Sequence, residues 1–197
     1  MPTFPSIQPT TAQMRKINPT RITTTLNGIE QRESSAGQYF ALTLEFNNLS
    51  QTEQRQIQGL FAETSGPVQT FDYQLPDFIG NSTGTYAAGI TMVSTYGAGV
   101  STVLINAGGS AIDLQAGDVV TFVGHDKVYM LTADTVLDAG SNYILKIDPP
   151  LRAGVSATTA VTHKNVTMKV RFASDNQEFD VDPNLYANFS IEIVEVL

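Results

Sequence analysis

Residues 39–75 read YFALTLEFNNLSQTEQRQIQGLFAETSGPVQTFDYQL, and this stretch combines the clearest patterns of secondary structure in the chain. Large apolar side chains recur at every second position over residues 39–46, which predicts a strand that turns one apolar face toward a core. The four residues on that face are Phe40, Leu42, Leu44 and Phe46. We therefore expect a half-buried strand at the start of the stretch.

A helix is expected directly after this strand. Ser50 and Glu53 have the spacing of a capping box, in which each side chain bonds the backbone of the other residue. Three apolar residues then form a narrow stripe, as in one helix laid on a sheet. They are Ile57, Leu60 and Phe61. The Gly-Pro pair at 66–67 is expected to end the helix, and a second strand is expected over residues 68–75.

Length and composition favour a mainly β protein. A chain of 197 residues can bury one large core or two small ones, and we expect two. The 15 glycines and the short alternating runs rich in Thr and Val favour strands over helices. Cysteine is absent, which excludes disulfides, thiolate zinc sites and cysteine nucleophiles.

Charge and hydropathy exclude two further classes of function. The net charge is −8 with a pI near 4.6, and the basic residues are scattered, which argues against specific nucleic-acid binding. No apolar run approaches the length of a membrane-spanning helix, and the first residues do not resemble a signal peptide. We therefore expect a soluble protein, made in a cytoplasm, without membrane insertion.

The two ends of the chain differ in character. Four prolines in residues 1–19 predict an extended N-terminal arm that needs a partner to become ordered, although a floppy tail fits the pattern equally well. Residues 20–35 alternate around an Asn-Gly turn at 27–28, which predicts a hairpin with a charged loop. The last ten residues alternate regularly, and a terminal strand of this kind is usually paired within a sheet.

A change in composition marks a predicted insertion. Residues 77–163 are rich in Gly, Ser, Thr and Ala and contain short strands separated by turns, which suggests a small barrel or sandwich. Longer alternation returns after residue 164. We therefore predict one discontinuous domain, residues 20–76 and 164–197, interrupted by an inserted β domain at 77–163. The predicted fold class is a mainly β protein, a β-sandwich with one α-helix.

The sequence offers few residues for chemistry. His125 and His163 are the only histidines, and neither has acidic or His neighbours at metal-ligand spacing. Five aspartates in the middle segment fit turns better than a calcium site or the carboxylate pair of a glycoside hydrolase. No nucleophile elbow or phosphate loop is present. We expect no enzyme, with no catalytic residue, cofactor or metal, and give a hydrolase little weight.

One alternative is a carbohydrate-binding β module that recognises a host surface. Its weak candidate ligand contacts are Tyr96, Asp126 and Tyr129. Tryptophan is absent, and aromatic residues in a small β domain more often belong to its core.

Three features carry a resemblance to a known family. The first is the order of a hairpin with a charged loop, an alternating strand, a capped helix and an aromatic strand at 71–75. The second is the segment LQAGDVVTF at 114–122, followed by KVYML at 127–131 and IDPPLR at 147–152. The third is the run of alternating strands ending in VEVL at 194–197. Together they resemble the distal tail proteins of long-tailed phages.

The resemblance implies a structural role in the virion. In that family a β-sandwich with one helix forms a ring, usually a hexamer, at the end of the tail tube, and a further domain projects outwards. This chain would then form a homo-oligomer that joins the tail tube protein to hub proteins of the baseplate or tail tip. DNA would pass through the ring without specific binding. The charged hairpin residues Glu30, Arg32 and Glu33 would contact a neighbouring subunit.

Overall fold

The computed structural model describes residues 2–34, 37–82, 89–109, 111–176, 178–181 and 187–196. The protein is mainly β, as predicted, with one sheet that closes almost into a barrel. Its strands in chain order are β1 (Thr11–Ile17), β2 (Thr20–Thr24), β3 (Glu30–Ser34), β4 (Tyr39–Leu49), β5 (Phe71–Gln74), β6 (Thr91–Met92), β7 (Thr102–Asn106), β8 (Val119–Phe122), β9 (Val128–Leu131), β10 (Val136–Leu137), β11 (Tyr143–Asp148), β12 (Val161–Thr162), β13 (Thr167–Phe172), β14 (Phe179–Val181) and β15 (Ala187–Glu195). Its helices are α1 (Gln51–Glu63) and the single turn α2 (Asp77–Gly80).

The chain divides into two compact units. The first comprises residues 1–71 and 170–197, and the second comprises residues 72–169. The boundaries predicted from composition, at 76/77 and 163/164, both lie inside the second unit. The composition of the sequence changes only where the barrel begins. The boundaries between the two compact units lie earlier and later in the chain, inside β5 and β13.

One sheet has the strand order β1-β4-β15-β13-β5, with β14 beside β15, and all of its strands except parts of β5 and β13 belong to the first unit. The terminal strand β15 is paired, as expected, and lies between β4 and β13. The four alternating apolar residues of β4 are completely buried, so the predicted face of this strand is correct. Edge strand β1 pairs with the other side of β4.

Helix α1 is fixed at its start by the predicted capping box. The Ser50 hydroxyl accepts from the Glu53 amide at 3.4 Å, and the Glu53 carboxylate accepts from the Ser50 amide at 2.9 Å. The Ser50 hydroxyl also donates to this carboxylate at 2.6 Å. This bond, and after it the bond from the Ser50 amide, lower the pKa of Glu53, because they favour the charged carboxylate. The helix buries Ile57 and Leu60, as its apolar stripe predicts.

Aromatic rings pack the helix against the sheet. Phe61 of α1 meets Phe172 edge-on at 5.5 Å between ring centroids, and it meets Phe189 in the same way at 5.9 Å. Phe71 lies 4.8 Å from Phe172, and Phe4 stacks on Phe71 at 6.2 Å. Because each such pair adds about 1 kcal/mol beyond area burial, the cluster fixes the position of the helix on the sheet.

Two predicted boundaries in this unit are wrong. The helix ends at Glu63 rather than at the Gly-Pro pair, because the backbone and hydroxyl of Thr64 both bond the carbonyl of Leu60 and close the last turn. The pair starts a separate 3-10 turn instead, Gly66–Val68. The strand expected over residues 68–75 is correspondingly short, since β5 covers only Phe71–Gln74.

The interpretation of residues 1–19 as an extended arm is also wrong. Residues 11–17 contain no proline and form β1, whose backbone pairs along β4 from Thr11↔Glu45 to Ile17↔Tyr39. Phe4 is buried in the core of the same unit. The strand was not predicted, because prolines lie on both sides of this run and its alternation is weak. Within it, Ala12 and Met14 are half-buried.

The second unit is built on an antiparallel sheet with the order β12-β8-β9-β11-β7-β6, and β10 pairs with β11. Its two edges meet, because the Met92 amide bonds the Thr159 carbonyl and the Val161 amide bonds the Ile90 carbonyl, both at 2.9 Å. The inward side chains form one apolar core. Among its largest members are Phe122, Tyr129, Leu145, Ile147, Leu114 and Leu131.

The segments that lead into and out of the barrel are bonded to each other. The Leu75 amide donates to the Val166 carbonyl at 2.9 Å, and the Asn165 amide donates to Asn81 Oδ1 at 2.7 Å. The Ser82 amide donates to the His163 carbonyl at 3.2 Å. We call these contacts between residues 75–82 and 163–166 the clasp.

The helix stripe yields a first prediction. Leu60→Ala removes a side chain that is 4% exposed, so it should lower the free energy of unfolding by about 2–5 kcal/mol. The control Gln56→Ala alters an exposed position of the same helix and should change it by less than about 0.5 kcal/mol. Urea denaturation of the full chain measures both values. Equal stability of the two variants would show that the helix is not held by this stripe.

The clasp yields a second prediction, on how the free energy of unfolding depends on pH. Ser82 Oγ lies 3.1 Å from both Nδ1 and the carbonyl of His163. Burial and the nearby Lys164 lower the pKa of His163, although Asp118 opposes the shift. The unfolded chain therefore takes up this proton first as the pH falls through the ordinary histidine pKa, about 6.5. The contribution of neutral His163 to stability is complete above that pH and is lost below it.

Urea midpoints at pH 7.5 and at pH 5.5 measure this dependence. The wild type should lose stability between the two pH values, and His163→Gln should lose distinctly less. Gln56→Ala, which alters an exposed position without a titratable group, serves as the control and should keep the wild-type slope. If His163→Gln follows the wild type in its pH dependence, the imidazole is not coupled to folding.

Candidate assembly surface and polar cavity

The hairpin of β2 and β3 is the most exposed part of the described chain. Its strands pair from Thr20↔Ser34 to Thr24↔Glu30 and form a two-stranded sheet of their own. All residues from 20 to 33 are exposed. The turn closes by a bond from the Gly28 amide to the Thr25 carbonyl at 2.9 Å, and Gly28 has a φ of 76°, which glycine adopts without strain.

Three large apolar side chains of this hairpin are exposed to solvent. Ile22 is 60% exposed, Leu26 at the turn is fully exposed, and Ile29 is 64% exposed. An isolated two-stranded hairpin is marginally stable in water, and grouped exposed apolar residues mark interaction sites. The turn could be predicted from the sequence, but the exposure of these residues could not, because alternation is the same in a strand with one buried face and in a strand with none.

The predicted contact residues Glu30, Arg32 and Glu33 all lie on β3 of this hairpin. Arg32 donates to the Glu30 carboxylate at 2.7 Å, and Arg21 pairs opposite Glu33 in the register of the two strands. A shallow depression of about 330 Å³ lies beside them. Because the Arg32–Glu30 pair is exposed, it contributes little to stability, and its groups stay accessible to a partner.

The hairpin carries charges of both signs. Residues 20–34 hold two basic and two acidic residues, a net charge of zero, so the −8 of the chain lies on the remaining residues. Exposed charges of both signs on one surface can meet unlike charges on another copy of the chain.

The predicted carbohydrate contacts do not form a common site. Tyr129 is completely buried in the barrel core, so its ring cannot stack on a sugar, and this part of the hypothesis is wrong. Its hydroxyl accepts from the Arg152 amide at 3.2 Å. Tyr96 is half-buried, and its hydroxyl accepts from the Leu104 amide at 3.0 Å. Asp126 is exposed and accepts from Lys169 at 2.9 Å.

Histidine and aspartate side chains of the second unit hold turns together. His125 Nε2 donates to the Gly154 carbonyl, which can only accept, at 3.2 Å, and Nδ1 lies 3.4 Å from the Tyr129 hydroxyl. Three aspartates accept from backbone amides of their own or neighbouring turns, as their positions beside Gly and Ala predict. They are Asp118, Asp134 and Asp138. Within the described ranges, no group of three or more His, Asp or Glu side chains could hold a metal ion.

An open pocket of about 260 Å³, here called the polar cavity, lies within the second unit. The polar residues of its lining are Asp72, Thr121, His125, Asp126, Thr162, Asn165, Thr167 and Lys169. Only Asp126 among these was a candidate contact in the sequence. The lining comes from three separate stretches, residue 72, residues 121–126 and residues 162–169, so no local pattern indicates that they meet.

Comparison with known protein families finds no match for this chain, and no curated protein matches it either. In the described part of the chain, no helix is long and apolar enough to cross a membrane.

Proposed function

We propose that this protein is a structural subunit of a phage tail, and that copies of it form a ring at the distal end of the tail tube. The ring joins the tube to the baseplate or tail tip, and DNA passes through it without specific binding. The resemblance of the sequence to distal tail proteins supports this proposal. The first unit contains a sheet with a capped helix packed on it, which is compatible with the ring-forming domain of that family.

The exposed hairpin is the observation that supports this proposal best. Ile22, Leu26 and Ile29 gain a favourable environment only when another surface covers them, at roughly 25 cal/mol per Å² of apolar area buried. The exposed strand edges of β2 and β3 offer further backbone groups to a partner.

The charges of the hairpin are compatible with a second copy of this chain as that partner. Its two basic and two acidic residues can pair with unlike charges of another copy when copies associate head to tail. Contacts between unlike patches generate closed rings when the rotation between copies closes. Glu30, Arg32 and Glu33 then set the register of the contact, and the apolar residues supply its affinity.

The carbohydrate-binding module is kept as a second candidate for the second unit alone. Asp126 lines the polar cavity and supports it, whereas the burial of Tyr129 removes its best stacking surface.

Removal of the apolar side chains tests the assembly. Sedimentation and negative-stain images of the purified full chain should show a defined oligomer, a ring with a central opening. The triple variant Ile22→Ser, Leu26→Ser, Ile29→Ser should be a folded monomer, because the polar side chains no longer favour burial. Circular dichroism checks that its sheets remain.

A matched control uses another exposed apolar pair. Val136 and Leu137 of β10 are 60% and 55% exposed, and the double change Val136→Ser, Leu137→Ser should leave the ring intact. A wild-type chain that stays monomeric, or a hairpin variant that assembles like the wild type, would contradict the proposal.

A further inference from the structure

We propose that the turn of the hairpin is a site of spontaneous covalent modification. In a copy whose hairpin is uncovered, Asn27 loses its side-chain amide to a cyclic imide formed with the backbone nitrogen of Gly28. Water then opens the imide to aspartate or isoaspartate. The reaction takes place within the turn of a single chain, so it does not depend on the proposed ring.

The sequence of the turn suits this ring closure. Asn27 and Gly28 form the only Asn-Gly pair in the chain. Glycine leaves its backbone nitrogen free of the crowding of a side chain, and no described heavy atom lies within 4 Å of the point where a Cβ would stand at Gly28. Closure of a five-membered ring is favoured, because the reacting atoms belong to neighbouring residues.

Exposure leaves the reacting groups accessible. Asn27 and Gly28 are both exposed, and the side-chain amide of Asn27 has no hydrogen bond to any described residue. Asn81 of the clasp gives the contrast, since its Oδ1 accepts from the Asn165 amide at 2.7 Å and its Nδ2 donates to the Asp77 carboxylate at 3.1 Å. The clasp therefore holds the Asn81 side chain, whereas the Asn27 side chain is free to reach the next backbone nitrogen.

Hydrogen bonds across the turn slow the reaction without preventing it. The Gly28 amide donates to the Thr25 carbonyl at 2.9 Å, and the Ile29 amide donates to the Thr25 hydroxyl at 3.2 Å. The turn must open before the Gly28 nitrogen can attack the Asn27 side chain. Such opening costs little free energy, because β2 and β3 form a two-stranded sheet of their own in solvent.

The atoms balance with water as the one co-reactant. The Gly28 nitrogen loses its proton and bonds to Cγ of Asn27, and the bond from Cγ to Nδ2 breaks as ammonia leaves. Water then adds to one of the two imide carbonyl carbons and breaks the bond of that carbon to the Gly28 nitrogen. Cleavage at Cγ gives aspartate, and cleavage at the main-chain carbonyl gives isoaspartate. Nothing is oxidised or reduced.

Both products alter the surface of the proposed assembly. Each adds a negative charge beside Leu26, and isoaspartate adds one methylene group to the main chain, so the bond between Gly28 and Thr25 no longer fits the turn. We therefore expect modified copies to assemble less well, and a covered turn to be protected. This consequence alone rests on the proposed function.

Mass spectrometry of the full chain tests the modification. Trypsin cuts after Arg21 and Arg32 and releases residues 22–32, which contain a single asparagine. After incubation of dilute protein at pH 8.5, this fragment should gain one mass unit, and incubation in water enriched in ¹⁸O should introduce one solvent oxygen. The gain should be several-fold faster than at pH 6, because the deprotonated nitrogen is the nucleophile.

Variants assign the reaction to the turn. Asn27→Gln is the matched control and should keep its mass, because its longer side chain must close a six-membered ring. Thr25→Val removes the hydroxyl that bonds Ile29 and keeps the branched shape, so conversion should be roughly twofold to tenfold faster with one hydrogen bond fewer to hold the turn closed. Asn81 should stay unmodified in the same samples.

The proposal is overturned if residues 22–32 keep their mass in the protein while a synthetic peptide of the same sequence converts. It is also overturned if Asn81 converts as fast as Asn27. Conversion in a chain that stays monomeric would support this inference and contradict the ring. A ring that forms from a chain whose Asn27 does not convert in dilute protein would do the reverse.

Discussion

The antiparallel pairing of β4 with β15 is the constraint on which the first unit depends. It joins residues 41–49 to residues 187–194, so most of the chain must leave the sheet and return before the sheet is complete. The entropic cost of such a closure grows only slowly with loop length. It is reduced further because the intervening residues fold as a unit whose entering and leaving segments are tied by the clasp.

The hairpin of β2 and β3 is not part of the sheet that this pairing completes. The β1–β4–β15 part of the sheet buries Phe40, Leu42, Leu44 and Phe46 without any contribution from β2 or β3. The hairpin then adds exposed apolar surface that the fold of one copy does not need. Natural proteins seldom keep such a surface unless binding covers it. The exposed apolar side chains therefore support the proposed assembly through the hairpin.

Much of the fold could be predicted from periodicity and capping. The apolar face of β4 and the Ser50–Glu53 cap follow from patterns within ten residues. Strand β1 was missed because its weak alternation is surrounded by prolines, and the helix end was misplaced because the Thr64 bonds to Leu60 leave no sequence signal. The polar cavity could not be predicted, since Asp72, Asn165 and Lys169 meet only through tertiary structure.

Hydrogen exchange of the full chain, at low and high protein concentration, tests the central claim most directly. Amides of β4 and β15 should exchange slowly at both concentrations, because their ladder is internal to each copy. Amides of residues 20–34 should exchange rapidly in dilute protein and slowly where copies associate. Hairpin amides that exchange at the same rate at both concentrations, although the protein has formed oligomers, would contradict assembly through the hairpin.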